Sequence, residues 1–258
     1  QGGNGALYDV SYLNATTVEN SLSANNETAL SLTKNWTDAA RATERPKTLE
    51  VTVTASYPTV RGEAAQAFAQ TYTLTDAPAT ASDVLYTVDA SGDVWTATIE
   101  GLRKYDADGK AIAYTVTETV PQYYAADNGG VFAVDSADRY AYSLTNTLQT
   151  AALTIDKTVT DETGEQTAAF LYDVYEAGAT DPYLTDVAVA IDPLTGEGTL
   201  TLDAQTLPAG KALLVGVAYT VVEQNTGAWN VTPGTAEITL TLDADGALNV
   251  AAFGNERK

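Results

Sequence analysis

Over most of this chain apolar and polar residues alternate one for one, and Gly, Asp and Asn collect between the alternating runs. Successive side chains of an extended strand point to opposite faces, so a period of two marks a strand with one buried face. The runs are short and rich in Val, Thr, Tyr and Leu, and none repeats with the helical period, so the expected class is all-β. Strands are predicted at 7–13, 30–36, 49–55, 69–74 and 94–99, in a run ending at Glu118, and at 140–148. A second series follows at 153–159, 170–175, 187–191 and 198–202, in a run ending at Glu223, and around 251–255. A chain of 258 residues suits two domains of roughly 100–150 residues better than one. The expected division is a domain at 27–149 and another at 150–258, preceded at 1–26 by one strand and a linker rich in Asn, Ser and Thr.

The two series share one anomaly. Lys34 alternates in step with Leu30, Leu32 and Trp36, and Lys157 with Leu153, Ile155 and Val159. Glu118 falls in step with Tyr114 and Val116, and Glu223 with Tyr219 and Val221. Asn146 follows Tyr142 and Leu144, and Asn255 follows Ala251 and Phe253. Each domain therefore places a Lys in its first strand, a Glu in a late strand and an Asn in its last strand, all on apolar faces. Taken singly, each residue has a plain explanation as a solvated strand or turn residue. Three in the same order, twice, point instead to one cation, one carboxyl group and one amide sharing a core.

Composition narrows the chemistry. The net charge of -21 argues against nucleic acid or an anionic membrane as partner. With no Cys there is no disulfide and no thiolate metal site, and with no His there is no Ser-His-Asp triad. No metal and no cofactor are expected. No apolar run reaches transmembrane length. The absence of any Met, a start Met included, suggests a piece of a longer chain.

Burial disfavours the charged forms of both a Lys and a carboxyl group. A neutral amine is a nucleophile, and a protonated carboxyl can hydrogen-bond a carboxamide oxygen and pass a proton. Beside an Asn these groups can join Lys and Asn side chains as an amide with release of ammonia, once per domain. The alternative is a buried Lys–Glu ion pair with the Asn as a hydrogen-bond partner, a weak stabiliser.

The chain resembles tandem Cna protein B-type domains, β-sandwich modules of Gram-positive surface adhesins and sortase-assembled pili. In the first domain the likeness rests on Leu32-Thr-Lys34-Asn-Trp36, Arg45-Pro46, Tyr105 to Lys110, Tyr114 to Glu118 and Leu144-Thr-Asn146. In the second it rests on Leu153 to Lys157, Tyr219 to Glu223 and Phe253-Gly-Asn255, without the Trp and Arg-Pro pieces. The resemblance implies two Ig-like sandwiches, isopeptide bonds Lys34–Asn146 and Lys157–Asn255, and a catalytic carboxyl role for Glu118 and Glu223. It implies a structural stalk or pilin segment on the outside of a cell wall, partnered by neighbouring domains of the same surface protein or pilus. The alternative is an adhesin module for host protein or glycan. Turnover of an outside substrate is not expected.

Weaker signals remain. Asp106-Ala-Asp108-Gly109 and Asp243-Ala-Asp245-Gly246 begin like calcium loops but lack the later ligands, which leaves them as turns. Asn14, Asn26, Asn35 and Asn230 fit the N-x-Ser/Thr sequon, at a rate that chance explains in a Thr-rich chain. Trp95 and Trp229 suit a sugar-binding face or, more simply, a core. Asn14 ends an alternating strand as Asn146 and Asn255 do, which suggests the last strand of an upstream domain, or a strand crosslinked in trans to a neighbouring molecule.

Overall fold

A computed structural model describes residues 8–22, 26–76, 79–81, 84–88, 92–127, 133–134, 139–161, 168–224, 226–242 and 246–258. Residues 1–7, with the first residue of the strand expected at 7–13, and residues 243–245 lie outside the described residues. The chain divides into two compact units, one of Gln1–Thr37 with Glu44–Thr147 and one of Asp38–Thr43 with Leu148–Lys258.

The first unit includes a hairpin of β1 (Tyr8–Asn14) and β2 (Thr17–Leu22), which among the described residues pair only with each other. β2 occupies sequence expected to be linker. Its Thr17–Val18–Glu19 start alternates too briefly to stand out from the Asn- and Ser-rich residues around it. The sandwich follows, with β3 (Glu27–Thr37), β4 (Thr48–Tyr57), β5 (Gln66–Thr75), β6 (Ala79–Ala81), β7 (Val84–Val88) and β8 (Val94–Arg103). β9 (Thr115–Glu118), β10 (Tyr124–Asp127), β11 (Ala133–Val134) and β12 (Tyr140–Leu148) complete it. One sheet runs β10-β12-β3-β8-β7-β6, with β11 on β12, and the other runs β5-β4-β9.

The alternation seen in the sequence appears as burial. Along β3 every second residue from Thr28 to Trp36 is buried, and Leu30, Leu32 and Lys34 are fully enclosed. Val51 and Val53 of β4 and Val116 of β9, in the other sheet, are buried with them, as is Leu144 beside them on β12. Each such apolar side chain withdrawn from water stabilises the fold by about 1.5–3 kcal/mol. β3 and β12 are neighbours and parallel, so the first and last strands of the sandwich lie side by side.

The second unit consists of β13 (Leu153–Thr160), β14 (Ala169–Glu176), β15 (Leu184–Ala190), β16 (Glu197–Leu202), β17 (Ala218–Glu223), β18 (Trp229–Thr232), β19 (Thr235–Thr239) and β20 (Val250–Arg257). Its sheets run β16-β13-β20-β18 and β15-β14-β17-β19. Again the first and last strands, β13 and β20, are parallel neighbours. Leu153, Ile155, Tyr172, Val174, Val189, Tyr219, Val221 and Ala251 fill the core. Residues 38–43 belong to this unit. Within it Arg41 donates to Glu176 at 3.1 Å and lies over the ring of Tyr183. The two units are thus β-sandwiches of the expected all-β class. Among the described residues no helix is long and apolar enough to cross a membrane.

Candidate functional site

Register brings the first triad together. Across the parallel β3–β12 pair Lys34 stands opposite Leu144. Asn146, two residues further along β12, therefore shares its face and is its diagonal neighbour. Glu118 ends β9 in the other sheet, opposite Val51 of β4, and reaches across the sandwich. The ammonium of Lys34 donates to both of its carboxylate oxygens, at 2.8 and 3.0 Å. Asn146 Nδ2 donates to Oε2 at 3.4 Å. The residue Glu118 as a whole is half-buried because it ends its strand, yet its side chain is fully enclosed.

An aromatic wall closes this site. Lys34 Nζ lies 4.9 Å from the centre of the Trp36 ring, which packs against Trp95 and Tyr124 at 5.1 and 5.3 Å. The Arg45 guanidinium covers the same ring from outside and is fixed by Asp93 at 2.7 Å and by the carbonyl of Gly92. Trp36 and Arg45, apart in the sequence, are thus in contact in the fold.

The second triad has the same diagonal. Lys157 stands opposite Phe253 across β13 and β20, and Asn255 lies two residues beyond. Glu223 ends β17 in the opposite sheet and pairs with Tyr172 of β14. Lys157 donates to Glu223 Oε2 at 2.6 Å, and Asn255 Nδ2 donates to Oε1 at 2.5 Å. Lys157, Glu223 and Asn255 are all buried. Phe170 supplies the aromatic wall, its ring centre 4.5 Å from the amine.

Burial pushes the pKa values of Lys34 and Lys157 below the usual lysine range, against the pull of the neighbouring carboxylates. Both amines are thereby brought closer to their nucleophilic form. The Asn146 and Asn255 side-chain oxygens are buried and accept no hydrogen bond. A buried acceptor without a donor is costly. A protonated carboxyl would supply that donor to a carboxamide turned with its oxygen, in place of Nδ2, toward the Glu, which is the state that polarises the carboxamide for attack.

The sequence did not single out Tyr172. It is fully enclosed, and its hydroxyl lies 3.5 Å from Glu223 Oε2. In the sequence it alternates with Phe170 and Val174 like any core aromatic, and only the strand register sets it beside the carboxyl group.

The remaining candidates fall elsewhere. Asn14 sits at the β1–β2 turn, exposed, where its Oδ1 accepts from Thr16 N and Oγ1 at 2.9 and 3.0 Å. The structure does not bring it to either triad. Asp106 accepts from the amides of Asp108 and Lys110, as a turn residue does. Among the described residues no group of three or more acidic side chains is placed to hold a metal ion. Trp95 and Trp229 are core residues.

Comparison with known proteins identifies the first of these sandwiches. The Cna protein B-type domain model matches residues 30–147, from within the Lys34 strand to just past Asn146. Residues 30–147 belong to the Cna protein B-type domain family. No curated protein matches the chain. Among solved structures, two B repeat units of the collagen binding protein Cna of Staphylococcus aureus are 20% identical. That alignment covers 98% of this chain and 54% of that one, with a TM-score of 0.36. The chain thus spans about half the length of that relative. The major pilin protein T3.2 of Streptococcus pyogenes is 15% identical over 90% of this chain and 99% of that one, with a TM-score of 0.42. The Bacillus anthracis TIE protein is 14% identical over 98% and 39%, also at 0.42. Beyond the matched Cna B-type domain, the second unit repeats its essential geometry, with parallel first and last strands and a Lys–Glu–Asn triad spanning the core.

Proposed function

We propose that the chain is a structural, self-crosslinking segment of a Gram-positive cell-surface protein, a two-module extracellular stalk or pilin piece of a wall-anchored assembly. Its partners are neighbouring domains of the same surface protein or pilus. The observation that carries this reading is the meeting, twice, of an enclosed Lys, Glu and Asn drawn from three strands and both sheets. A Cna B-type domain match over the first triad supports it.

In the proposed reaction the lysine proton passes to the carboxyl group. The neutral amine of Lys34 or Lys157 attacks the side-chain carbonyl carbon of Asn146 or Asn255, while the protonated Glu118 or Glu223 hydrogen-bonds the developing oxyanion. The carbon–Nδ2 bond breaks and the nitrogen leaves as ammonia, taking up the proton shed by the attacking amine. Each carboxyl group is regenerated, and each site turns over once.

The product ties the first strand of each sandwich to the last. Links closing loops of about 110 and 100 residues contribute roughly 4–5 kcal/mol each by chain-entropy reasoning. Because the joined strands are already adjacent and parallel, tension applied at a module's ends passes through the covalent link and leaves the hydrogen-bonded ladders unloaded. Intact mass of the denatured protein tests the reading. The expected deficit is two ammonia molecules, and Glu118→Ala and Glu223→Ala each restore one. A mass equal to that of the sequence refutes it.

A further inference from the structure

The two sites are not equivalent, and one difference lies in the residue facing the carboxyl group from the adjoining strand. That residue is Val51 opposite Glu118 and Tyr172 opposite Glu223. Around Glu118 the ammonium of Lys34 straddles both oxygens, and Asn146 is left a long contact of 3.4 Å to one of them. Around Glu223 the oxygens are divided. Oε2 receives Lys157 at 2.6 Å and the Tyr172 hydroxyl at 3.5 Å, while Oε1 receives only Asn255, at 2.5 Å.

We infer that Tyr172 is a positioning residue of the second site, its hydroxyl fixing the rotation of the Glu223 carboxyl so that one oxygen serves the amine and the other the carboxamide. The inference rests on the crosslinking reaction proposed above. Four features support it. Tyr172 is fully enclosed, and its ring is braced 4.9 Å from that of Phe253, so the hydroxyl cannot swing away. Burial and the neighbouring carboxylate drive its own ionisation far up, so it remains a donor at every relevant pH. Lys157 and Tyr172 are the only titratable groups hydrogen-bonded to Glu223 among the described residues. Finally, a donor held on Oε2 favours that oxygen as the carbonyl once the carboxyl is protonated, which leaves the hydroxyl on Oε1, where it donates to Asn255 Oδ1 once the carboxamide turns its oxygen in place of Nδ2 toward it. Val51 offers Glu118 no such donor.

The test uses the full chain made by cell-free synthesis, released into buffers from mildly acidic to mildly basic and sampled into denaturant over time. Peptide mass spectrometry then follows the Lys157–Asn255 and Lys34–Asn146 links separately, the first unit serving as internal reference. Tyr172→Phe keeps the ring and removes only the donor, and Tyr172→Met is a second variant without a hydroxyl. The expected result is a second link slowed about fivefold in both variants, with a changed pH profile and the first link unaltered, as loss of one hydrogen bond predicts. A residue that merely packs would lower the second unit's melting temperature and leave the ratio of rates as it was. An unchanged ratio in either folded variant overturns the inference while leaving the crosslink reading intact. A parent chain that loses no ammonia overturns both.

Discussion

Asn255→Ala offers the sharpest measure of what a crosslink contributes. The substitution removes the carboxamide that would join Lys157 but leaves the Lys157–Glu223 pair in place at 2.6 Å. The loop from 157 to 255 holds about 100 residues, and closing it is worth about 4.7 kcal/mol of unfolded-state entropy. The second unit comprises about 115 residues, so its unfolding entropy near the midpoint is about 0.24 kcal/mol/K. The ratio predicts a fall of about 20 °C in that unit's transition, read by calorimetry on the full chain, with the first unit's transition unmoved. Deleting a buried amide also has a local cost, which Lys157→Met isolates, since no link can form without the amine. In that background Asn255→Ala removes only its hydrogen bond to Glu223 and should lower the transition by a few degrees. Equal shifts in the two backgrounds would show that no covalent link contributes, and the reasoning would fail.

The pH response of uncrosslinked variants follows from the lowered lysine pKa values. In Asn146→Ala and Asn255→Ala the amines stay free, and the folded state binds fewer protons than the unfolded state in a window below 10.5. Stability of these variants therefore rises with pH through that window and falls as the amines charge, whereas an amide nitrogen in the parent does not titrate. Urea unfolding at neutral and mildly alkaline pH checks this, and parallel trends in parent and variants would contradict it. Asn249 is a structural counterpart, 1% exposed, with Nδ2 donating to the carbonyls of Ala152 and Thr241 and Oδ1 accepting from Thr241 N and Oγ1. Asn249→Leu strands these groups and should cost about 2–4 kcal/mol in urea unfolding without changing the number of ammonia molecules lost.

Much of this architecture was legible because period-two alternation reports burial directly. Lys34 and Lys157 were placed on core faces by counting from Leu32 and Ile155, and both are fully enclosed. What alternation cannot report is which strands adjoin. The diagonal from Lys34 to Asn146 exists only because β3 and β12, more than a hundred residues apart, pair in parallel and in one register. A shift of one residue would turn Asn146 to solvent. The same blindness hid Tyr172, whose pattern is that of a core aromatic until β14 is laid beside β17. It also hid the destination of residues 38–43, whose Arg41 finds its carboxylate at Glu176, far along the sequence. Asn14 is a different case. Its alternation matched that of Asn146 and Asn255, yet it sits in a turn with its acceptor spent on Thr16. A polar residue at the end of an apolar face is therefore a weak sign of chemistry by itself. It gains force when, as with Glu118 and Glu223, the opposite sheet supplies a residue whose buried charge needs it.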